Sequence, residues 1–254
     1  MRGPLVAILD DAALAVSFFT RLPVPLPARV ATRSLSSTFW AAPLAGWLVA
    51  LIGGGTFWLA HLGHLSPGIA AALALAVMIF VTGCLHEDGL SDTADGFGGG
   101  RDRARKLEIM RDSRIGSYGA VALAMSILLR WNALADLSGP PAALAALVAA
   151  HGASRGLLPA FMHALPPART DGLAAGAGMV GRTPALVALL IGAASLAALG
   201  IAGGVAAAFV LVVAFLLFRW LGLRQIGGYT GDTTGAMQQI AEVAVLVTAS
   251  VFLV

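Results

Sequence analysis

Residues Gly83–Gly119 read GCLHEDGLSDTADGFGGGRDRARKLEIMRDSRIGSYG. In a chain built mostly of Ala, Leu, Val and Gly, this stretch carries Glu87, Asp88, Asp92, Asp95, Asp102, Glu108 and Asp112. The first four acids meet no basic residue until Arg101. On a helix, steps of four and three would place Asp88, Asp92 and Asp95 within about 60° of one another around the axis. Carboxylates so close repel unless a cation lies among them, and an all-oxygen set suits Mg²⁺ or Mn²⁺. Such ions keep waters and take phosphate oxygens, and the arginines that follow can grip phosphate bidentately. The local reading is a metal–phosphate site. The run Arg103–Arg114 has good helix formers and few breakers, so a helix is expected to put Arg111 and Arg114 on one side, one turn apart. Gly98–Gly100 reads as the turn that ends the acidic helix.

The surroundings of this stretch are apolar. Of 254 residues, 58% are hydrophobic and 11% charged, against roughly 25% charged in a soluble domain, and the mean hydropathy is +0.86. The expected fold class is all-α: a polytopic membrane bundle forming a single domain over residues 1–254. Seven spans are predicted: Ser37–Ala60, Gly68–Leu85, Gly119–Leu137, Pro141–Leu165, Pro184–Leu199, Val205–Leu221 and Gly235–Val254. Leu5–Thr20 is apolar but carries Asp10 and Asp11, which suits an interfacial or re-entrant helix. No cleavable signal peptide is expected, because those acids interrupt the apolar run. The proline-rich Arg21–Arg33 reads as an extended connection.

Charge placement orients the bundle. With the N-terminal segment in the cytoplasm, the polar loops 86–118, 166–182 and 222–234 fall there too. Of the sixteen Lys and Arg, all but Arg130 and Arg155 then lie in cytoplasmic segments or at cytoplasmic ends of spans. That implies a bacterial cytoplasmic (inner) membrane protein whose site faces the cytoplasm. An arginine inside a span needs a partner or a wet cavity, so Arg130 and Arg155 are expected to bind the anionic substrate in a cavity open to the cytoplasm, which they line with Glu242. Gln238 and Gln239 read as helix–helix hydrogen-bonding groups, and His151 as a polar group inside the bundle. The single cysteine, Cys84, allows no intrachain disulfide. No strand, GxGxxG turn or Walker loop is seen and no nucleic-acid partner is expected; lipid is the expected surrounding, and homo-oligomerisation stays open.

H-E-D-G-L-x-D-T-x-D-G (His86–Gly96), followed by I-M-R-D-S-x-I-G-S-Y-G (Ile109–Gly119), resembles the cobalamin synthases, the adenosylcobinamide-GDP ribazoletransferases. Phe19–Pro25 (FTRLPVP), Pro167–Ala174 (PARTDGLA) and Gly228–Ala236 (GYTGDTTGA) are similar to further signatures of that family, so the resemblance covers the whole chain. It implies adenosylcobinamide-GDP as donor, α-ribazole or its 5′-phosphate as acceptor, and adenosylcobalamin or its phosphate plus GMP as products. With this reaction, Asp88, Asp92 and Asp95 are expected to hold Mg²⁺, with Glu87 a further ligand or supporting group. Asp95 is the expected proton acceptor. Arg111, Arg114 and Arg169 are expected on the pyrophosphate, and Asp232 either completes the metal site or binds a ribose. Two other classes remain open. One is a CDP-alcohol phosphotransferase or an aspartate-rich prenyltransferase, against which stands the missing D-G-x-x-A-R pattern. The other is a transporter, against which stands the absence of an evident repeat.

Overall fold

The computed structural model describes residues 4–30, 33–169 and 178–253. Its helices are α1 (Pro4–Phe19), the short α2 (Leu35–Thr38), α3 (Ala42–Leu62), α4 (Pro67–Thr82), α5 (Leu85–Gly99), α6 (Arg103–Ile109), α7 (Ser117–Ala135), α8 (Pro140–His163), α9 (Arg182–Ser195), α10 (Gly200–Ile226) and α11 (Gly231–Phe252). Among the described residues the one extended pairing is an isolated bridge between Pro167 and Tyr229, so the all-α class holds. Prolines stand in the first turn of α3, α4 and α8, where a missing N–H costs nothing.

The helix α8 is the centre of the bundle, packed against α3, α9 and α11. Its Ala143, Ala146, Ala149, Ala150 and Ala153 are buried, and such small side chains let helices approach closely where water supplies no driving force. In contrast, α7 leaves Val121, Met125 and Leu128 outward.

Five helical units are long and apolar enough to cross a membrane: Leu35–Leu62, Ser117–Ala135, Pro140–His163, Arg182–Ile226 and Gly231–Phe252. The pair α4 and α5, bent by 87°, would make a sixth. The expected count of seven is therefore corrected. With 16 residues, α4 falls short of the ~20 that a span needs and passes only together with α5. The expected fifth and sixth spans belong to one 45-residue helical run. That run turns at Gly200, whose φ is +72°, so that Gly204 packs on the Leu196 carbonyl.

The bend before α5 has a local cause. Gly83 (φ +63°) and Cys84 (φ +59°) are both left-handed, so the chain leaves one helix and starts the next within two residues. A left-handed conformation is costly for a side chain bearing Cβ, and here it falls on an exposed cysteine. The Arg21 N–H donates to Val81 O at 2.7 Å, tying the segment after α1 to this corner. The acids of α1 point inward. Arg29 forks onto Asp10 at 2.9 and 2.8 Å, and Trp40 Nε1 donates to Asp11 at 2.9 Å. Leu5, Ile8 and Leu9 stay exposed, as an interfacial helix requires.

Candidate active site

The C-terminal ends of α1 and α8 meet the N-terminal ends of α5 and α11 around a cavity of about 320 Å³. Asp88, Arg169, Asp232, Thr234 and the buried His86 supply its polar lining, and Phe18, Phe19, Phe39, Leu158 and Met162 much of its apolar lining.

Close helix packing and one loop contact assemble the polar side. At Gly89 a Cβ would lie 2.7 Å from the Asp232 carbonyl oxygen, so only glycine lets α5 reach the start of α11. Thr230 caps α11 in a reciprocal box with Thr233 and donates to Asp232 Oδ2 at 3.1 Å. Two backbone bonds, Tyr229 N–H to Pro166 O at 2.9 Å and Ala168 N–H to Tyr229 O at 2.8 Å, zip the segment after α8 to the segment before α11. They bring Arg169 to Asp232, Nη2 to Oδ2, at 3.2 Å. Residues 170–177, including the second half of the PARTDGLA stretch, lie outside the described residues.

The four acids of α5 divide into two pairs. Asp88 lines the cavity. Asp92 is half-buried beside it, with Asp88 and Asp232 near enough to act on its charge. Asp95 and Glu87 turn away. Asp95 accepts the backbone N–H of Gly116 at 2.7 Å and of Gly119 at 2.9 Å. Both its oxygens thus cap the start of α7, which corrects its expected roles as metal ligand and proton acceptor. Glu87 accepts from Arg130 at 3.0 Å and from Gln239 at 3.2 Å, so it supports rather than lines the site.

Arg130 and Arg155 depart from expectation as well. With Glu242 they are almost fully buried, at 2%, 1% and 1% exposure, and they face one another instead of an open cavity. Arg130 Nη1 is 3.1 Å from Glu242 Oε1. His151 Nδ1 lies 3.3 Å from Glu242 Oε2 and 2.8 Å from Arg155 Nη1. Gln238 donates to Glu242 at 2.6 Å. Two cations and two carboxylates, Glu87 and Glu242, close a neutral network, which is how buried charge is tolerated.

The expected clamp helix ends at Ile109. Met110 is buried and packs on Gly96, where a Cβ would meet its Cγ at 2.4 Å, and this anchor turns the chain. Arg111 and Arg114 therefore lie beyond α6. Arg114 forks onto Asp112 at 3.0 and 2.6 Å on the surface, and this pairing pulls the Asp112 carboxyl down to about 2. Arg111 is exposed but near enough to Asp232 to act on its charge. Sequence reasoning missed the aromatic side of the cavity and His86, which is 3% exposed and stacked on Phe19 at a centroid distance of 6.0 Å.

The donor chemistry of Asp88, Asp92 and Asp232 fits a hard divalent cation. Among the described residues no group of three or more His, Cys, Asp or Glu stands close enough to hold an ion unaided.

Fold and site together define a polytopic helical protein with carboxylates and an arginine gathered at the helix ends of one cavity. The profile of CobS, described as cobalamin-5-phosphate synthase, matches residues 11–250. An adenosylcobinamide-GDP ribazoletransferase of Mesorhizobium japonicum is 59% identical over 247 residues, covering 97% of this chain and 95% of its own. Proteins of the same name from Bradyrhizobium diazoefficiens and Ralstonia nicotianae are 46% and 41% identical, covering 96% and 95% of this chain, and 95% and 96% of their own. No solved structure matches the chain significantly. The chain belongs to the cobalamin-5-phosphate synthase family.

Proposed function

We propose that this protein is a membrane-embedded, Mg²⁺-dependent adenosylcobinamide-GDP ribazoletransferase. It joins adenosylcobinamide-GDP to α-ribazole or its 5′-phosphate and releases GMP. The observation that carries this reading is the convergence of Asp88, Asp232 and Arg169 on one cavity, with Asp92 beside them.

An acceptor hydroxyl attacks the phosphorus attached to the cobinamide arm. The new P–O bond forms as the bond to GMP breaks, and GMP leaves with the electron pair. Such a transfer asks the protein for in-line positioning and charge neutralisation rather than covalent help. Asp88, Asp92 and the free oxygen of Asp232 would hold the cation, which supplies neutralising charge for the diphosphate. Arg169, already fixed by Asp232, presents its guanidinium to the same phosphates. The start of α11 adds backbone N–H groups favourable to anions. The hydroxyl proton passes to a carboxylate of this set. Arg111 supports the diphosphate from the surface side, and Arg114 stays with Asp112.

The site faces the cytoplasm of a bacterial inner membrane in this reading, because Arg21, Arg103, Arg111 and Arg169 gather at the cavity end of the bundle. The test is purified protein in liposomes with adenosylcobinamide-GDP, α-ribazole and Mg²⁺. GMP release that stops on chelation is the expected result, and no GMP with all three present would overturn the assignment.

A further inference from the structure

The polar side of the cavity is accounted for by phosphate chemistry, but its aromatic side is not. Phe18, Phe19 and Phe39 are in mutual contact, with ring centroids 4.9, 5.6 and 5.8 Å apart. Phe19 and Phe39 are buried, whereas Phe18 is only half-buried. All three nonetheless line the cavity that also holds Asp88, Arg169 and Asp232.

We infer that this compartment is the acceptor's base subsite, and that Phe18 and Phe39 select a flat, apolar, bicyclic aromatic ring. The inference rests on the reaction proposed above, which brings three bulky groups to the site: a corrinoid, a guanosine and a benzimidazole riboside. The cavity, about 320 Å³, is at the lower end of the ~300–1,000 Å³ range of small-molecule pockets, too small for a corrin macrocycle. Guanine carries several donors and acceptors around its edge; beside the phenylalanines, Leu158 and Met162, only the buried His86 imidazole, whose Nε2 has no partner, could meet one of them, so most would go unpaired, a heavy penalty. Benzimidazole offers two apolar faces and a nearly apolar edge, which suits stacking and edge contacts with phenylalanine. With the base at the aromatic end, the ribose projects toward Asp88 and Asp232, where its hydroxyl meets the phosphorus. The guanosine and corrinoid then lie outside this compartment.

The experiment is equilibrium dialysis of α-ribazole against purified protein without donor, alongside steady-state GMP release. Phe18 is chosen because it is the least buried of the three rings; Phe18→Tyr keeps the ring and Phe18→Ala removes it. Phe18→Ala is expected to weaken α-ribazole binding roughly tenfold or more, the scale of losing one base–aromatic contact. It should raise the acceptor KM by a similar factor and leave the donor KM unchanged, while Phe18→Tyr binds as wild type. GMP should not displace bound α-ribazole. Equal binding by wild type and Phe18→Ala, displacement by GMP, or a rise confined to the donor KM would each overturn the subsite assignment. The direct binding measurement separates this from the reaction itself: binding lost in Phe18→Ala in a protein that releases no GMP would refute the activity and leave the subsite standing.

Discussion

Arg130, on α7, donates to Glu87, on α5, across 3.0 Å, and Glu87 immediately precedes Asp88. The ion pair thus fixes the helical turn that presents the first cavity carboxylate. Both partners are buried, and Glu242 shares the same guanidinium nitrogen. Removing one member of a buried pair leaves uncompensated charge, a cost of about 3–5 kcal/mol. Arg130→Met should therefore lower the thermal unfolding midpoint in detergent sharply. An unfolding midpoint equal to wild type would mean that the network carries no structural weight.

Asp88 and Asp95 share a helix but not a task. Asp88→Asn should reduce GMP release at least a hundredfold and leave stability unchanged, because Asp88 is exposed to the cavity. Asp95→Ala should cost about 2 kcal/mol through loss of two charge-assisted bonds at the start of α7. Parallel unfolding and activity curves for the two variants separate these roles. Loss of activity without loss of stability in Asp95→Ala would return that residue to the chemistry.

Cation binding should depend on pH. Asp92 is half-buried with Asp88 and Asp232 near enough to act on its charge, so protons and cations compete for it. Mn²⁺ affinity, followed by electron paramagnetic resonance, should rise between pH 6 and pH 8, and Asp92→Asn should flatten the slope. A pH-independent affinity in the wild type would contradict this coupling.

Arg169 and Arg114 give opposite expectations for the same change. Lysine keeps charge but loses the fork. Arg169→Lys should lower kcat/KM for the GDP-linked donor about tenfold, equivalent to about 1.4 kcal/mol of transition-state stabilisation. Arg114→Lys, at a surface pair with Asp112, should change it less than about twofold. Equal effects in the two variants would remove Arg169 from the phosphate site.

The helical class and the acidic stretch were readable because composition and a short-range period report them directly. The helix of Asp88, Asp92 and Asp95 is present, but which face each acid serves depends on neighbours remote in sequence: α11 for Asp88 and the start of α7 for Asp95. Arg130 and Glu242 stood out as charge inside apolar spans, but that they pair with each other and with Glu87, from three helices, rather than line an open cavity depends on contacts remote in sequence. The end of α6 escaped because no Gly or Pro follows it before Gly116; there Met110 packs on Gly96 and Asp112 accepts the Arg114 N–H in a local turn. Among eleven phenylalanines, those at 18, 19 and 39 carry no distinguishing mark until the fold places them together.

Two helices begin at the cavity, and each carries a cavity carboxylate in its first turn: Asp88 on α5 and Asp232 on α11. A helix start bears roughly half a positive charge in its unpaired N–H groups. Part of the repulsion between these acids is therefore offset by the main chain itself, through charge that no pH change removes and no side-chain motion displaces. In the proposed reaction, a cation and diphosphate would then meet carboxylates already held at one cavity by two helix starts, with little rearrangement.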